Sequence, residues 1–428
     1  MNDLQPVAQS RRAAAKGMSA GAVNRYLVLA GMFLLSVILY VDRAAISSAK
    51  ASMAAELSLS DTGMGLVFGA FSLGYAVAQI PAGWLADRVG PRLTLAAAVT
   101  LWSGFTALTG AAHGLISLVL VRFLFGAAEA AAFPGSARVF YNWLPPQERG
   151  IANGILFSGA LLGGGLSFPF FQWLLAAHGW RTAFYFLFVP GLVWVLGWVV
   201  WFRDYPRGRA VNTASASLDD FCEPLLPLLR SSAMVKAMSQ YFAGNFTFFI
   251  CITWMYPYLV DRYSLPPSQA ARFAMVPLLS GAGANWVSGL FVDLLYRLHF
   301  RSWSRRLPAT IGFFLAAVAM YVVTLLESPA GAVAAFALGT FGIEMTISPS
   351  WAHCIDIAGR NSGSASAAMN MAGSLGALVS ANAFPWLFRL TGDSGAYFRI
   401  AAVLNALAIL CWFTMAPRTP GTKMADPD

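Results

Sequence analysis

The sequence contains few charged residues. Only 11% of its 428 residues are Asp, Glu, Lys or Arg, which is less than half of the share in an ordinary globular domain. The chain also has just four cysteines and four histidines, and neither type shows the Cys-x-x-Cys or Cys/His spacing that a disulfide framework or a zinc site requires. The composition argues against a soluble domain, and the cysteine pattern indicates neither disulfide nor metal chemistry.

Catalytic motifs are missing as well. The sequence contains no Ser/His/Asp arrangement, no metalloprotease motif and no nucleotide-binding motif. Its one glycine run, at residues 163–165, lacks the Lys-Ser/Thr of a phosphate-binding loop. We therefore predict that the protein is not an enzyme and that it uses no metal and no cofactor.

Long apolar segments make up most of the chain, which is 58% hydrophobic. Each segment of about 20 residues is long enough to cross a hydrocarbon core of about 30 Å as a helix. Twelve such segments joined by short loops leave no polar layer to solvate a soluble core. The sequence predicts an all-α integral membrane protein with twelve transmembrane helices, at residues 26–47, 62–85, 93–112, 115–142, 150–176, 182–202, 234–260, 269–296, 307–326, 330–354, 363–388 and 396–416.

The basic residues are distributed unevenly between the two sides of these spans. With the amino terminus inside, twenty of the 28 Lys and Arg residues fall on the inner side and six on the outer side, while Arg43 and Arg122 lie within spans. This asymmetry follows the positive-inside rule and predicts that both termini are cytoplasmic. No aromatic-interleaved basic stripe is present, so the net charge of +9 indicates the orientation of the chain in the membrane and not a nucleic-acid partner.

The longest polar break divides the spans six and six. We predict a cytoplasmic tail at 1–25, a six-helix bundle at 26–202, a cytoplasmic linker at 203–233, a second six-helix bundle at 234–416 and a cytoplasmic tail at 417–428. Gly83 and Asp87 at the end of the second span recur as Gly289 and Asp293 at the end of the eighth. This repeat is typical of transporters built from two related halves.

The loop between the second and third spans carries a distinctive motif. Its sequence, Gly-Trp-Leu-Ala-Asp-Arg-Val-Gly-Pro-Arg at 83–92, resembles the cytoplasmic signature loop of the major facilitator superfamily at every fixed position. The resemblance implies two pseudo-symmetric six-helix bundles with a substrate site between them near the midplane, alternately open to either side. It also implies a conformational gate formed by Gly83, Asp87, Arg88, Gly90 and Arg92.

A few charged residues lie inside the spans, where charge is expensive and usually functional. Arg122 and Glu129 are seven residues apart in the fourth span, which places them on one helix face about 10 Å apart. Asp42 and Arg43 lie near the end of the first span. For that pair, extension to the outer lipid headgroups is an alternative to a functional role.

These charges belong to a second resemblance. Asp42-Arg43, the Arg-Phe-x-x-Gly-x-x-Glu at 122–129, Phe-Pro-Gly at 133–135 and Arg-Gly-x-Ala-Asn-Gly at 149–154 together resemble the anion:cation symporter family. This branch of the superfamily includes bacterial transporters of galactonate, hexuronates and glucarate, and animal sialin. Its members imply proton sites at Asp42 and Glu129 and anion-binding arginines at Arg43 and Arg122.

The remaining candidate residues are polar or aromatic groups in the spans. The resemblance implies substrate contacts at Ser348, Trp351 and Asn370, and we add Tyr40, Tyr75 and Gln79, although helix-to-helix hydrogen bonding is an equal alternative for the amide and tyrosine groups. Glu344 is a third acid within the spans. The family pattern gives it no role. A second proton site, a contact to a substrate amine, a pair with His353, and a protonated or hydrated acid without a functional role all stay open.

The predicted function is proton-coupled uptake of a sugar acid, such as an aldonate or a hexuronate, by a monomeric protein in the bacterial inner membrane. The partners would be a small carboxylate substrate, protons and lipid. Alternatives are uptake of an aromatic acid, a dicarboxylate or an acidic amino acid, export by the same fold, and a receptor that does not transport.

Overall fold

The computed structural model describes residues 5–206, 225–253, 255–393 and 395–415, and the regular structure within these ranges is entirely helical. The amino-terminal helices are α1 (Gln5–Glu56), α2 (Asp61–Arg88), α3 (Pro91–Gly110), α4 (Leu115–Glu129), α5 (Ala132–Trp143) and α6 (Arg149–Trp201). They are followed by α7 (Leu225–Arg230), α8 (Ser232–Thr253), α9 (Met255–Tyr263), α10 (Pro267–Arg297), α11 (Arg301–Ser304), α12 (Arg306–Val323), α13 (Pro329–Ala358), α14 (Ser362–Thr391) and α15 (Gly395–Thr414).

The helices correspond to the predicted spans. Among the described residues, nine segments are long and apolar enough to cross a membrane, and one of them, of 63 residues, contains both α13 and α14. The predicted spans 150–176 and 234–260 fall in the first part of α6 and in α8 with α9. The all-helical architecture with twelve spans is thus confirmed, and the exposed surface of its helices is rich in Leu, Val and Phe side chains, as expected of helices that face lipid.

Some boundaries differ from the prediction. Helix α1 begins at Gln5 and ends at Glu56, so most of the predicted tail is helical. The predicted fourth span is divided into α4 and α5, because Pro134 has no N–H to donate to the preceding turn. Helix α6 contains two spans, and the chain turns between them at Gly179, whose φ of 74° suits glycine.

The helices pack as two groups. Helices α1 and α3 pack on α6, and α2 packs on α4, whereas α13 contacts α10 and α12, and α14 and α15 contact α8. The main contacts between the groups are α6 with α10 and α2 with α14. The domain boundary at 203–233 stays a prediction, since its residues 207–224 lie outside the described ranges, as do residues 1–4 of one tail and 417–428 of the other.

Candidate functional site

An ion pair between α1 and α4 forms the centre of the site. Arg43 donates from Nε to both oxygens of Glu129, at 2.9 and 3.0 Å. The Glu129 side chain is completely buried, and that of Arg43 is 22% exposed. A second donor atom of Arg43, Nη2, is buried and has no hydrogen-bond partner in the described part of the chain. Arg43 therefore binds the carboxylate of Glu129 through Nε and still has a donor, Nη2, for another acceptor.

Arg122 is buried without a carboxylate partner. Its side chain is 3% exposed, and its guanidinium carbon lies 4.3 Å from the centroid of the Phe125 ring and 5.1 Å from that of Phe71. Arg43 lies at the same 5.1 Å from the Phe71 ring, so one aromatic ring serves both cations. Within the described residues Arg122 makes no ion pair, and its Nε has no hydrogen-bond partner. Ring faces stabilise a cation only modestly, so the guanidinium of Arg122 keeps the capacity to bind an anion.

Asp42 is also inside the protein. It is 1% exposed and its Oδ2 has no hydrogen-bond partner among the described residues. Its charge interacts with those of Glu129 and Arg122. The alternative that Asp42 and Arg43 reach the lipid headgroups is therefore wrong, because both side chains face the charges of α4. Two acids and two arginines make up one cluster.

Two polar pairs join the halves beside this cluster. Asn370 of α14 donates to the hydroxyl of Tyr75 on α2 at 3.0 Å, and Gln79 of α2 donates to Ser374 of α14 at 3.2 Å. The Tyr75 ring also lies 4.8 Å from the guanidinium carbon of Arg43, and that of Tyr40 lies at 5.2 Å. Two predicted residues, Tyr40 and Tyr75, thus contact Arg43 directly, and Asn370 is connected to the cluster through Tyr75.

Trp351 and Ser348 of α13 make contacts between helices. The Trp351 indole is fully buried, donates to the hydroxyl of Tyr241 at 2.9 Å and packs on Phe157 at 5.3 Å. Ser348 is equally buried and donates to the carbonyl of Gly150 at 3.0 Å. In this structure the Ser348 hydroxyl joins α13 to α6, and Tyr241 is a partner of Trp351 that sequence reasoning missed.

Glu344 lies on α13 with a neutral partner. It is 6% exposed, and Asn285 of α10 donates to its Oε2 at 2.6 Å. His353 instead packs its ring against Trp412, with 5.5 Å between the centroids. Asn285 is not among the candidate residues predicted from the sequence. An amide in an apolar helix, one turn after Gly281, is a feature of the sequence that could have indicated it.

The signature motif forms one half of a reciprocal set of hydrogen bonds that joins the two groups of helices at one end of the bundle. This set is called the clasp below. Asp87 accepts hydrogen bonds from the backbone amides of Gly363 and Ser364, at 2.9 and 2.7 Å, and so occupies the N-terminus of α14. The positive end of the helix dipole favours an acid there. Gly83 permits this approach, because a Cβ at that position would lie 2.5 Å from the Gly363 carbonyl oxygen.

The other motif residues fix the turn into α3. Gly90 adopts a φ of 97°, and a Cβ there would lie 2.9 Å from the Asp204 carboxylate. Asp204 accepts from the backbone amide of Arg92 at 2.8 Å and so caps α3. Burial raises the pKa of Asp204, while the bond from Arg92 lowers it. The guanidinium of Arg88 lies 4.9 Å from the ring of Trp84.

The second half of the clasp has the same arrangement, but here the acid comes from the carboxy-terminal group of helices and the helix N-terminus from the amino-terminal group. Asp293 of α10 accepts from the amides of Gly150 and Ile151, at 2.9 and 2.8 Å, at the N-terminus of α6. An ion pair of 2.5 Å between Arg149 and Asp356 also crosses between the halves. The end of the molecule that contains Asp87, Arg149, Asp293 and Asp356 is called the motif end below. The structure is closed at the motif end.

The structure places no group of three or more His, Cys, Asp or Glu side chains where they could hold a metal ion, among the residues it describes. The cluster of Asp42, Arg43, Arg122 and Glu129 instead holds charges of both signs, and within the described residues Arg43 and Glu129 form its one ion pair. Such a cluster can exchange one carboxylate for another on the same arginines, which is chemistry of binding and release.

Comparison with known proteins identifies the family. The Major Facilitator Superfamily model matches residues 32–381. A probable sulfoacetate transporter of Cupriavidus necator is 32% identical over 92% of this chain and 94% of its own length, and the hexuronate transporter of Bacillus subtilis is 29% identical over 90% and 93%. The transporter FucP, solved in the outward conformation, superposes with a TM-score of 0.75 over 91% of this chain and 98% of its own, at 12% identity.

The chain belongs to the major facilitator superfamily, and its curated relatives confirm the resemblance to the anion:cation symporter branch. It is therefore an integral, multi-pass membrane transporter and not an enzyme, since this family moves solutes and the relatives are named as transporters. Tyr75, whose ring lies beside Arg43, is also bonded to Asn370 of the other half.

Proposed function

We propose that the protein is a proton-coupled symporter that takes up an organic anion, with a sugar acid such as an aldonate or hexuronate as its substrate. The observation that carries the proposal is Arg122, a buried cation with aromatic walls and no ion pair in the described part of the chain. A guanidinium binds a carboxylate through two parallel hydrogen bonds, which makes it the preferred group for this task.

The charge balance of the cluster supports coupling to protons. Asp42 and Glu129 offset Arg43 and Arg122 when both acids are ionised. An added anion then leaves one uncompensated negative charge in a buried site, which is unfavourable. One proton on Glu129 restores the balance and frees Arg43 for the substrate. Binding of the anion and of the proton should therefore favour each other.

A sugar acid suits the surroundings of the cluster. Tyr75 supplies a hydroxyl beside Arg43, and Asn370 and Gln79 supply amides in the neighbouring contacts between α2 and α14. These groups can exchange their present bonds for substrate hydroxyls. A short sulfonated carboxylate is the second candidate, because the sulfoacetate transporter is similar over 92% of this chain. Two arginines would match its two anionic groups.

The orientation belongs to the same proposal. We place the motif end and both termini in the cytoplasm, in the bacterial inner membrane, because the basic residues concentrate on that side. The described state, closed at the motif end, would then receive substrate from outside. Uptake as a monomer with alternate opening of the two ends follows from the two-half architecture.

Transport by purified protein in liposomes tests the function. Gluconate, glucuronate and sulfoacetate serve as probes, and the wild type should accumulate at least one of them when the outside is made acidic. Glu129→Gln should retain counterflow exchange and lose gradient-driven accumulation, since its side chain no longer exchanges a proton. Glu327→Gln, the same change at an exposed position, should behave as the wild type. Full accumulation by Glu129→Gln would refute the proton role of Glu129.

A further inference from the structure

Glu344 is a buried carboxyl that the proposed site does not use. It lies on α13, in the carboxy-terminal half, whereas the charged cluster belongs to α1 and α4. Asn285 donates to one of its oxygens at 2.6 Å, and within the described residues it makes no ion pair. A buried carboxylate with only a neutral partner is strongly disfavoured relative to the neutral acid.

The groups that face Glu344 are neutral as well. Its charge acts on Tyr40 of α1 and on Tyr241 of α8, and Asn285 faces it from α10. Tyr40 also contacts Arg43, whose guanidinium carbon lies 5.2 Å from the centroid of its ring. No cation among the described residues offsets a negative charge on Glu344, which favours a proton on this side chain in the described state.

The carboxyl is sealed from the motif end by contacts between the halves. A Cβ on Gly154 of α6 would lie 2.6 Å from the backbone carbonyl oxygen of Asn285, the residue that holds Glu344. One helical turn after Glu344, Ser348 donates to the carbonyl of Gly150 at 3.0 Å. These contacts of α6 with α10 and α13 must separate when the motif end opens. Their separation would admit water to Glu344.

We propose that Glu344 is a further proton-coupling residue, which carries a proton while the motif end is closed and releases it to the motif end when α6 separates from α10 and α13. The inference rests on the proposed function and adds a site in the half opposite to Asp42 and Glu129. Asn285 is the positioning residue that orients the carboxyl toward the contacts of α6 with α10 and α13. The transporter would move one proton more per substrate than the amino-terminal acids alone provide.

An additional proton changes the accumulation that a pH gradient can support. Each coupled proton contributes a factor of about ten to the substrate concentration ratio per unit of pH difference, because one unit corresponds to about 1.4 kcal/mol. Loss of one proton from the cycle should therefore lower the limiting ratio about tenfold per pH unit. Exchange of substrate without a gradient needs no net proton movement and should persist.

The proton-to-substrate ratio of purified full-length protein in liposomes tests the inference. It is measured from the membrane potential at which net flux vanishes under fixed pH and substrate gradients, with whichever of gluconate, glucuronate and sulfoacetate the wild type accumulates. Glu344→Gln preserves the size of the side chain and the bond from Asn285. We expect it to retain counterflow and to lower the ratio by about one, whereas Glu327→Gln should keep the wild-type ratio.

The possible outcomes separate the two proposals. An unchanged ratio in Glu344→Gln, with accumulation intact, would overturn the role of Glu344 and leave the proposed function standing. If the wild type accumulated none of the probes, the proposed function would itself fail, and the role of Glu344 with it. Should Glu344→Gln not support counterflow, the ratio is measured in Glu344→Met instead. We again expect a ratio lower by about one, and an unchanged ratio would again count against the inference.

Discussion

At the scale of single residues, the few charged side chains inside the spans indicate where the site lies. The side chains of Asp42, Arg122 and Glu129 are at least 97% buried, and each is disfavoured in that environment unless it is paired or used. Arg43 and Glu129 pair with each other, whereas Asp42 Oδ2 and Arg122 Nε have no hydrogen-bond partner in the described residues. A substrate carboxylate and a proton are the two species that would complete this set.

Arg122→Lys should weaken substrate binding about tenfold to hundredfold. The ammonium retains the charge but not the planar pair of donors, and a hydrogen bond to a charged group contributes about 1.5–3 kcal/mol. Titration calorimetry of the purified protein with the transported anion measures the change. Arg272→Lys, at an exposed position, is the matched control. Equal affinities for the Arg122 variant and the wild type would show that Arg122 does not bind the substrate.

At the scale of elements, close approach of helices depends on small residues. Helices α2 and α14 meet at Gly83 and Gly363, and helices α6 and α10 meet at Gly150 and Gly289. Each contact brings a helix backbone against the N-terminal turn of a helix in the other half. The acid one turn further along, Asp87 or Asp293, then reaches the free amides of that turn.

Gly83→Ala should shift the transporter toward the state that is open at the motif end. The added Cβ would meet the Gly363 carbonyl oxygen at 2.5 Å, so α2 and α14 must move apart. Spin labels at the exposed positions Leu93 and Leu298 report the distance between the halves, which should lengthen. Gly69→Ala lies in the same helix with no atom within 4 Å of its Cβ and should leave the distance distribution unchanged. An unaltered distribution in Gly83→Ala would contradict the role of this contact.

At the scale of the whole molecule, the two halves hold each other reciprocally. Asp87 of the first half binds the start of α14, and Asp293 of the second binds the start of α6. The Arg149–Asp356 ion pair lies at the same end. A closed motif end is therefore stabilised by two similar sets of hydrogen bonds, and both must break for that end to open.

Removal of either acid should favour opening, and removal of both should favour it more. Asp87→Asn and Asp293→Asn each lose charge-assisted bonds worth about 1.5–3 kcal/mol, which corresponds to a shift of about tenfold to hundredfold in the ratio of open to closed states. The same spin-label distances measure these populations. Asp393→Asn, an exposed acid paired with Arg399, is the control. Populations that stayed as in the wild type for the double variant would disprove the clasp.

Much of this protein could be predicted from its sequence alone. Apolar segments of membrane length predicted all twelve spans, because a backbone in lipid must satisfy its hydrogen bonds within helices. The signature loop and the Asp42-Arg43 and Arg122–Glu129 motifs predicted the family and the residues of the charged cluster. These features are local in the chain, and local spacing on a helix fixes which side chains share a face.

Only the tertiary structure determined which of these residues meet. No spacing indicates that Arg43 pairs with Glu129, 86 residues away, that Asn370 reaches Tyr75, or that Ser348 turns to Gly150 on α6. Likewise, the partner of Glu344 is Asn285 and not His353. Asn285 lies on α10, which packs against α13 at Glu344, whereas His353 lies further along α13 itself. Such contacts depend on the crossing of helices from distant parts of the chain, which a period of 3.6 residues does not encode.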